Sequence, residues 1–219
     1  MSDFRPVLYV IGVLLSLTSV SMIFPMIIDL INNNQDWQVF LFTSVLTFLI
    51  GAILIFSFNN PGKKISLKQA FLLTTLSWLS ISLFSSIPFI YAETQLSFTN
   101  AFFESISGVT TTGATVISGL DNLPKGILLW RSLLQWFGGI GIIVLALSIL
   151  PMLQVGGMQL FHLESDDPYE KTLPKISKFV IEIAILYTCL TILCAILYLF
   201  SGMSWFDSIA HSMTTIATG

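Results

Sequence analysis

The sequence predicts an all-α polytopic membrane protein: two N-terminal helices, then tandem helix–pore loop–helix units, of which about one and a half are present. Three observations predict it. Apolar residues make up 54% of the 219 positions and charged ones 10%, with a mean hydropathy of +0.86; soluble domains carry about 25% charged residues. Five apolar windows, 7–28, 37–58, 70–91, 127–150 and 179–200, are each long enough as a helix to cross about 30 Å of hydrocarbon. Two further segments, too short to cross, follow the third and fifth windows and resemble each other.

The first window is longer than the ~7–15 apolar residues of a signal peptide, and no small-x-small cleavage site precedes a soluble domain. It joins the second through DLINNNQD (29–36), a polar turn without a basic residue, and the two read as a peripheral helix pair, residues 1–62. Asn59-Asn60-Pro61-Gly62 ends the second window. The third is rich in hydroxyls (Thr74, Thr75, Ser77, Ser80, Ser82, Ser85, Ser86), which allow close helix approach and hydrogen bonding in lipid, and it opens a first repeat, 63–160. The fourth begins at Trp130-Arg131 and carries Gly138, Gly139 and Gly141, which suit close packing or a hinge; Pro151 ends it. A charged connector, 152–178, leads to the fifth window, and 161–219 holds that connector and half of a second repeat. Glu182 faces Lys178 at i+4 spacing, as a paired interfacial acid. Cys189 and Cys194 read as core thiols with neither disulfide nor metal.

Lys and Arg fix the orientation. Arg5, Lys63, Lys64, Lys68, Lys171, Lys175 and Lys178 fall on one side and only Lys125 and Arg131 on the other. That asymmetry places the N-terminus in the cytoplasm and opens both short segments to the outside. A net charge of −3 gives no argument for a nucleic-acid partner, and none is expected.

The chemistry sits in the repeat. NAFFESISGVTTTGAT (100–115) is answered by SWFDSIAHSMTTIATG (204–219), pairing Glu104 with Asp207 and Gly113 with Gly219. A short helix dipping into a membrane leaves irregular backbone at depth, tolerated only inside protein or against water. Thr and Gly suit such backbone, and a ring of carbonyls can replace an ion's water. A Thr/Gly-rich surface loop is the plainer alternative, and the duplication favours the filter. Glu104 and Asp207 read as acids in the first turns of their helices, complementing the dipole, and Ser204 with Asp207 fits a capping box. Arg131 is either a snorkelling anchor or the partner of an acid near the mouth. His211 reads as a packed histidine.

FFESISGVTTTGAT (102–115), WRSLLQWFGGIGIIVLALSILPML (130–153), VGGMQLF (155–161) and FDSIAHSMTTIATG (206–219) resemble the Trk/Ktr/HKT superfamily of potassium transporters, closest to the TrkH/TrkG type. The resemblance implies four fused helix–pore loop–helix units behind an extra helix pair. It favours Arg131 as a structural partner for an acid. It implies a bacterial inner-membrane protein that takes up potassium, with cation symport as one driving mode and no cofactor or metal beyond the transported ion. Carbonyls of Thr111, Thr112 and Gly113 would form one side of the filter and those of Ala217, Thr218 and Gly219 the next. It further implies a cytosolic nucleotide-binding regulatory subunit, with the connector as a plausible contact, and a homodimer of the full-length protein. A polytopic membrane enzyme and a structural subunit are the alternatives; the spans show no acid–base cluster, metal-ligand spacing or nucleophile elbow. Two more loops at the same period would extend the chain by roughly 250 residues, so the 219 residues are expected to be a fragment that does not conduct alone.

The orientation is checked by single cysteines in a cysteine-free background. Those replacing Asn33 and Asp121 are expected to react with an impermeant thiol reagent from outside, and those replacing Lys64 and Glu170 only after permeabilisation. Outside labelling at Lys64 reverses the topology.

Overall fold

Prolines decide how the first and third spans are cut. The computed structural model describes residues 4–58, 66–153 and 172–219, and the first span is two helices, α1 (Arg5–Ser21) and α2 (Ile23–Ile31). Pro25 has no N–H for the Ser21 carbonyl one turn earlier, and the helix breaks at Met22. Pro88 does the same between α4 (Leu67–Ser85) and α5 (Ile87–Tyr91). At this break the Ser85 carbonyl accepts the indole N–H of Trp130 at 3.1 Å. The remaining helices are α3 (Trp37–Ser57), α6 (Phe98–Val109), α7 (Lys125–Leu153), α8 (Thr172–Phe200) and α9 (Trp205–Ala217). Among the described residues the regular structure is helical throughout, and five segments are long and apolar enough to cross a membrane.

Two boundaries differ from the sequence reading. The helix α7 does not stop at Pro151 but carries it to Leu153, since a proline removes one donor without closing the turn around it. Lys175 and Lys178 lie in α8 rather than in the connector. Pro174 stands third in that helix, where backbone N–H groups have no intrahelical partner to lose. The remaining connector, 154–171, lies outside the described residues, as do Lys63 and Lys64 and the side chain of Lys178 that was expected to meet Glu182.

Among the described residues the N-terminal pair packs on the helices that follow it. Helices α1 and α3 touch through glycines: a Cβ on Gly12 would lie 2.8 Å from the Gly51 carbonyl, and one on Gly51 2.8 Å from the Gly12 carbonyl. The Ser44 hydroxyl adds a bond to the Ser19 carbonyl at 2.8 Å. Phe40 of α3 and Trp130 of α7, both fully buried, meet edge-on at 6.2 Å. Asp29, on the last turn of α2 and fully buried, accepts the Gly126 N–H at 2.7 Å, capping α7 from a helix 97 positions away. In the turn that follows, the Asp36 carboxylate accepts the Glu93 N–H at 3.1 Å. Burial raises the Asp36 carboxyl above the ordinary range; the Glu93 N–H opposes this and the Glu93 charge adds to it.

The glycine crossing yields a contrast. Gly51→Leu is expected to lower the stability of the detergent-purified protein by about 1–3 kcal/mol through overpacking. Gly141→Ala, at a position with no heavy atom within 4 Å of the new Cβ, should leave the thermal midpoint in place. A common response of the two variants would remove the α1–α3 contact as a determinant.

Candidate ion-conducting site

The short helices α6 and α9 are the same device built twice. The Ser97 hydroxyl accepts the Asn100 N–H at 3.4 Å, and the Ser204 hydroxyl accepts the Asp207 N–H at 3.2 Å, so each helix starts at a serine cap. Thr218, the C-cap of α9, is left-handed at φ 61°, and in the first copy the left-handed residue is Thr111 at φ 57°, one position beyond the Thr110 cap of α6. The closing bonds also match. Thr111 N–H donates to Gly108 O at 2.9 Å and Thr112 N–H to Ser107 O at 2.9 Å. In the second copy Thr218 N–H donates to Thr215 O and Gly219 N–H to Thr214 O, both at 3.1 Å.

This geometry corrects the register of the repeat. Cap and turn are fourteen positions apart in both copies, Ser97 to Thr111 and Ser204 to Thr218, so Thr111 corresponds to Thr218 and Thr112 to Gly219. The sequence reading paired Gly113 with Gly219 instead. It also paired Glu104 with Asp207, whereas Glu104 stands opposite His211, and Asp207 opposite Asn100. The aromatic–acid–Ser-Ile match is slipped by four residues, one helical turn, which keeps similar side chains on one face and so looks like a true register.

Glu104 is therefore not a first-turn acid. It sits seven residues beyond the Ser97 cap, is 2% exposed, and turns its carboxylate on the chain returning from the loop. One oxygen accepts the Val116 N–H at 2.5 Å, the Ile117 N–H at 3.3 Å and the Thr115 hydroxyl. The other accepts Arg131 Nε at 3.1 Å. Asp207 keeps to the first turn, where the Ser204 hydroxyl donates to its carboxylate at 2.7 Å. Nearby, Lys125 Nζ lies 5.4 Å from the Phe206 ring centre. His211 is exposed, not packed, and Cys189 is likewise exposed.

Between helix and anchor, the loop turns its backbone inward. The Ser107 hydroxyl donates to the Ala114 carbonyl at 2.6 Å, and the Thr110 and Thr112 hydroxyls are 2.8 Å apart. Gly113, at φ 74°, lies against the second copy: a Cβ there would be 2.7 Å from the Gly219 carbonyl carbon. Thr111, Thr112 and Gly113 are thus brought beside Gly219 and the left-handed Thr218, while Ala217 is the buried last residue of α9. Among the described residues no hydrogen bond is accepted by the carbonyls of Thr110, Thr111, Thr112 or Gly113.

One face of α7 holds both loops. Arg131 grips Glu104; a Cβ on Gly108 would lie 3.1 Å from Leu134 Cβ; and Gly138 passes so close to the Val109 carbonyl that no side chain fits. Gln135 lies against Gly219, and a Cβ on Gly139 would be 3.4 Å from Ala217 Cα. The Tyr187 hydroxyl of α8, also beside Gly139, donates to the Trp136 carbonyl at 3.2 Å. Gly141, by contrast, faces open space.

Arg131→Met is expected to cost about 3 kcal/mol, because it leaves the Glu104 carboxylate buried without its counter-charge. Glu104→Gln in the same background should recover part of that loss, since a neutral amide needs no cation. Thermal denaturation of both single variants, Arg131→Met and Glu104→Gln, and of the double variant measures the coupling, and purely additive losses would mean that the pair does not act as a unit.

A family model described as TrkH, cation transport protein, matches residues 36–219. The Trk system potassium uptake protein TrkH of Escherichia coli strain K12 is 42% identical over 219 residues, 99% of this chain and 45% of that protein. The Trk system potassium uptake protein TrkG of the same strain is 36% identical over 221 residues, 100% of this chain and 46% of that protein. The crystal structure of the potassium transporter TrkH from Vibrio parahaemolyticus matches with a TM-score of 0.85 at 39% identity, covering 97% of this chain and 42% of that one. The chain spans less than half the length of the relatives it matches. With twin capped helices, apposed loops and the α7 brace matched across most of its residues, the chain belongs to the TrkH family of cation transport proteins.

Proposed function

We propose that the chain supplies part of a potassium uptake path across the bacterial inner membrane, with the loops after α6 and α9 forming two sides of its selectivity filter. The observation that carries this reading is the bare run of carbonyls from Thr110 to Gly113 beside Gly219. A backbone carbonyl at membrane depth without a partner costs several kcal/mol, so these groups call for a ligand that accepts their lone pairs. A dehydrated monovalent cation is such a ligand. Both short helices direct their C-terminal ends at the loops, and the partial negative charge there adds attraction for a cation. The potassium uptake named for the relatives supports the choice of ion.

The rest of the reading follows the charge asymmetry and the family. The N-terminus lies in the cytoplasm and the loops open to the periplasm. A cytosolic nucleotide-binding subunit and a second copy of the whole protein complete the assembly, and uptake proceeds by conduction or by cation symport.

Gly113→Ser tests the filter in the whole reading frame that contains this chain. A Cβ at φ 74° is strained by about 1–3 kcal/mol, and it would meet the Gly219 backbone at 2.7 Å. Potassium-over-sodium discrimination in uptake is expected to fall by about tenfold or more with membrane abundance unchanged. Unaltered discrimination at normal abundance would remove Gly113, and with it this filter, from the path.

A further inference from the structure

Gln135 is the polar side chain of the α7 face for which the filter reading, by itself, provides no role. The residue is 5% exposed, and its Oε1 has no hydrogen-bond partner among the described residues. It does not point into empty space. A Cβ on Gly219 would lie 2.8 Å from Gln135 Oε1 and 3.0 Å from Cδ, with the Thr111 carbonyl at 3.4 Å. On its other side the Gly219 backbone meets Gly113. The carboxamide therefore stands against the second loop where that loop touches the first.

We infer that Gln135 sets the separation of the two loop backbones and is a specificity-determining position for ion discrimination. The inference rests on the filter reading above. Discrimination between potassium and sodium depends on how many carbonyls surround the ion and at what spacing. The buried planar carboxamide packed from α7 against Gly219 sets that spacing by its shape, which a thioether chain of the same size does not reproduce. The neighbours on the same face fit the assignment. Arg131, one turn earlier, ties the first loop through Glu104, and Gly138, one turn later, lets that loop approach. Gln135 acts on the second loop from between them. It touches backbone and not the ion, so its role is positioning.

The experiment uses Gln135→Met, which keeps the volume and removes both polar atoms, and Gln135→Asn, which keeps the amide and withdraws it by one methylene. Both are made in the whole reading frame, with Gly113→Ser alongside. Potassium and sodium uptake, apparent KM and Vmax, and membrane abundance are measured. Both variants are expected to lower potassium-over-sodium discrimination by about tenfold and to raise the KM for potassium, at wild-type abundance. Wild-type discrimination in Gln135→Met overturns the proposal; should that variant not reach the membrane, Gln135→Asn decides in the same way. If Gly113→Ser loses discrimination while the Gln135 variants keep it, only the role of Gln135 fails. If all three keep it, the filter reading has failed as well.

Discussion

The structure hangs on the buried carboxylate of Glu104. Two backbone N–H groups and a hydroxyl of residues 115–117 converge on one oxygen and Arg131 on the other. An ionised acceptor is worth more than a neutral one, and at 1% side-chain exposure it keeps that strength. The chain leaving the short helix is thereby returned and pinned to the helix it left. Arg131 extends the pin to α7, and the same face of α7 then meets the second loop at Gln135 and Gly139. Loop carbonyls without hydrogen-bond partners need this kind of support, because flexible backbone in that position would collapse onto its own donors.

Small residues make the support possible. Gly108 and Gly138 let α6 and α7 approach to backbone contact, and Gly12 with Gly51 does the same for α1 and α3. In lipid there is no hydrophobic gain from bringing helices together, so close packing and buried hydrogen bonds have to hold them. The Trp130 indole bonded to the Ser85 carbonyl and the Asp29 carboxylate bonded to Gly126 are bonds of this kind. Through Asp29 the N-terminal helices reach the first turn of α7 and so belong to the frame around the loops.

Duplication shaped the site and also disguised it. Two short helices, each capped by serine and each followed within two residues by a left-handed threonine, hold loops that touch at Gly113 and Gly219. Their side chains have diverged along that common backbone. Where the first copy places Glu104 as anchor, the second has His211. The acid of the second copy, Asp207, has moved to the first turn, where it bonds the capping serine.

Hydropathy is a sum of local transfer energies, so the spans were legible from the chain alone, and so were the two short helices, which announce themselves by length, threonine and glycine. A serine cap three residues before an acid is equally local, and Ser204 with Asp207 stood out for that reason. Arg131 could be narrowed to two roles, since a cation near a span's end either snorkels or pairs. Which role it plays, and that Glu104 is its partner, depended on the loop returning over α6, which no periodicity encodes. The repeat's register was beyond reach because a left-handed threonine carries no sign in its side chain, while the glycines beside it do. Asp29 looked like a turn residue; only the packing of α2 on α7, 97 positions apart, buries it. Local energies determined which segments are helices in a membrane. Tertiary structure decided which polar groups meet, because a buried donor or acceptor takes whatever partner the packed faces bring within about 3 Å.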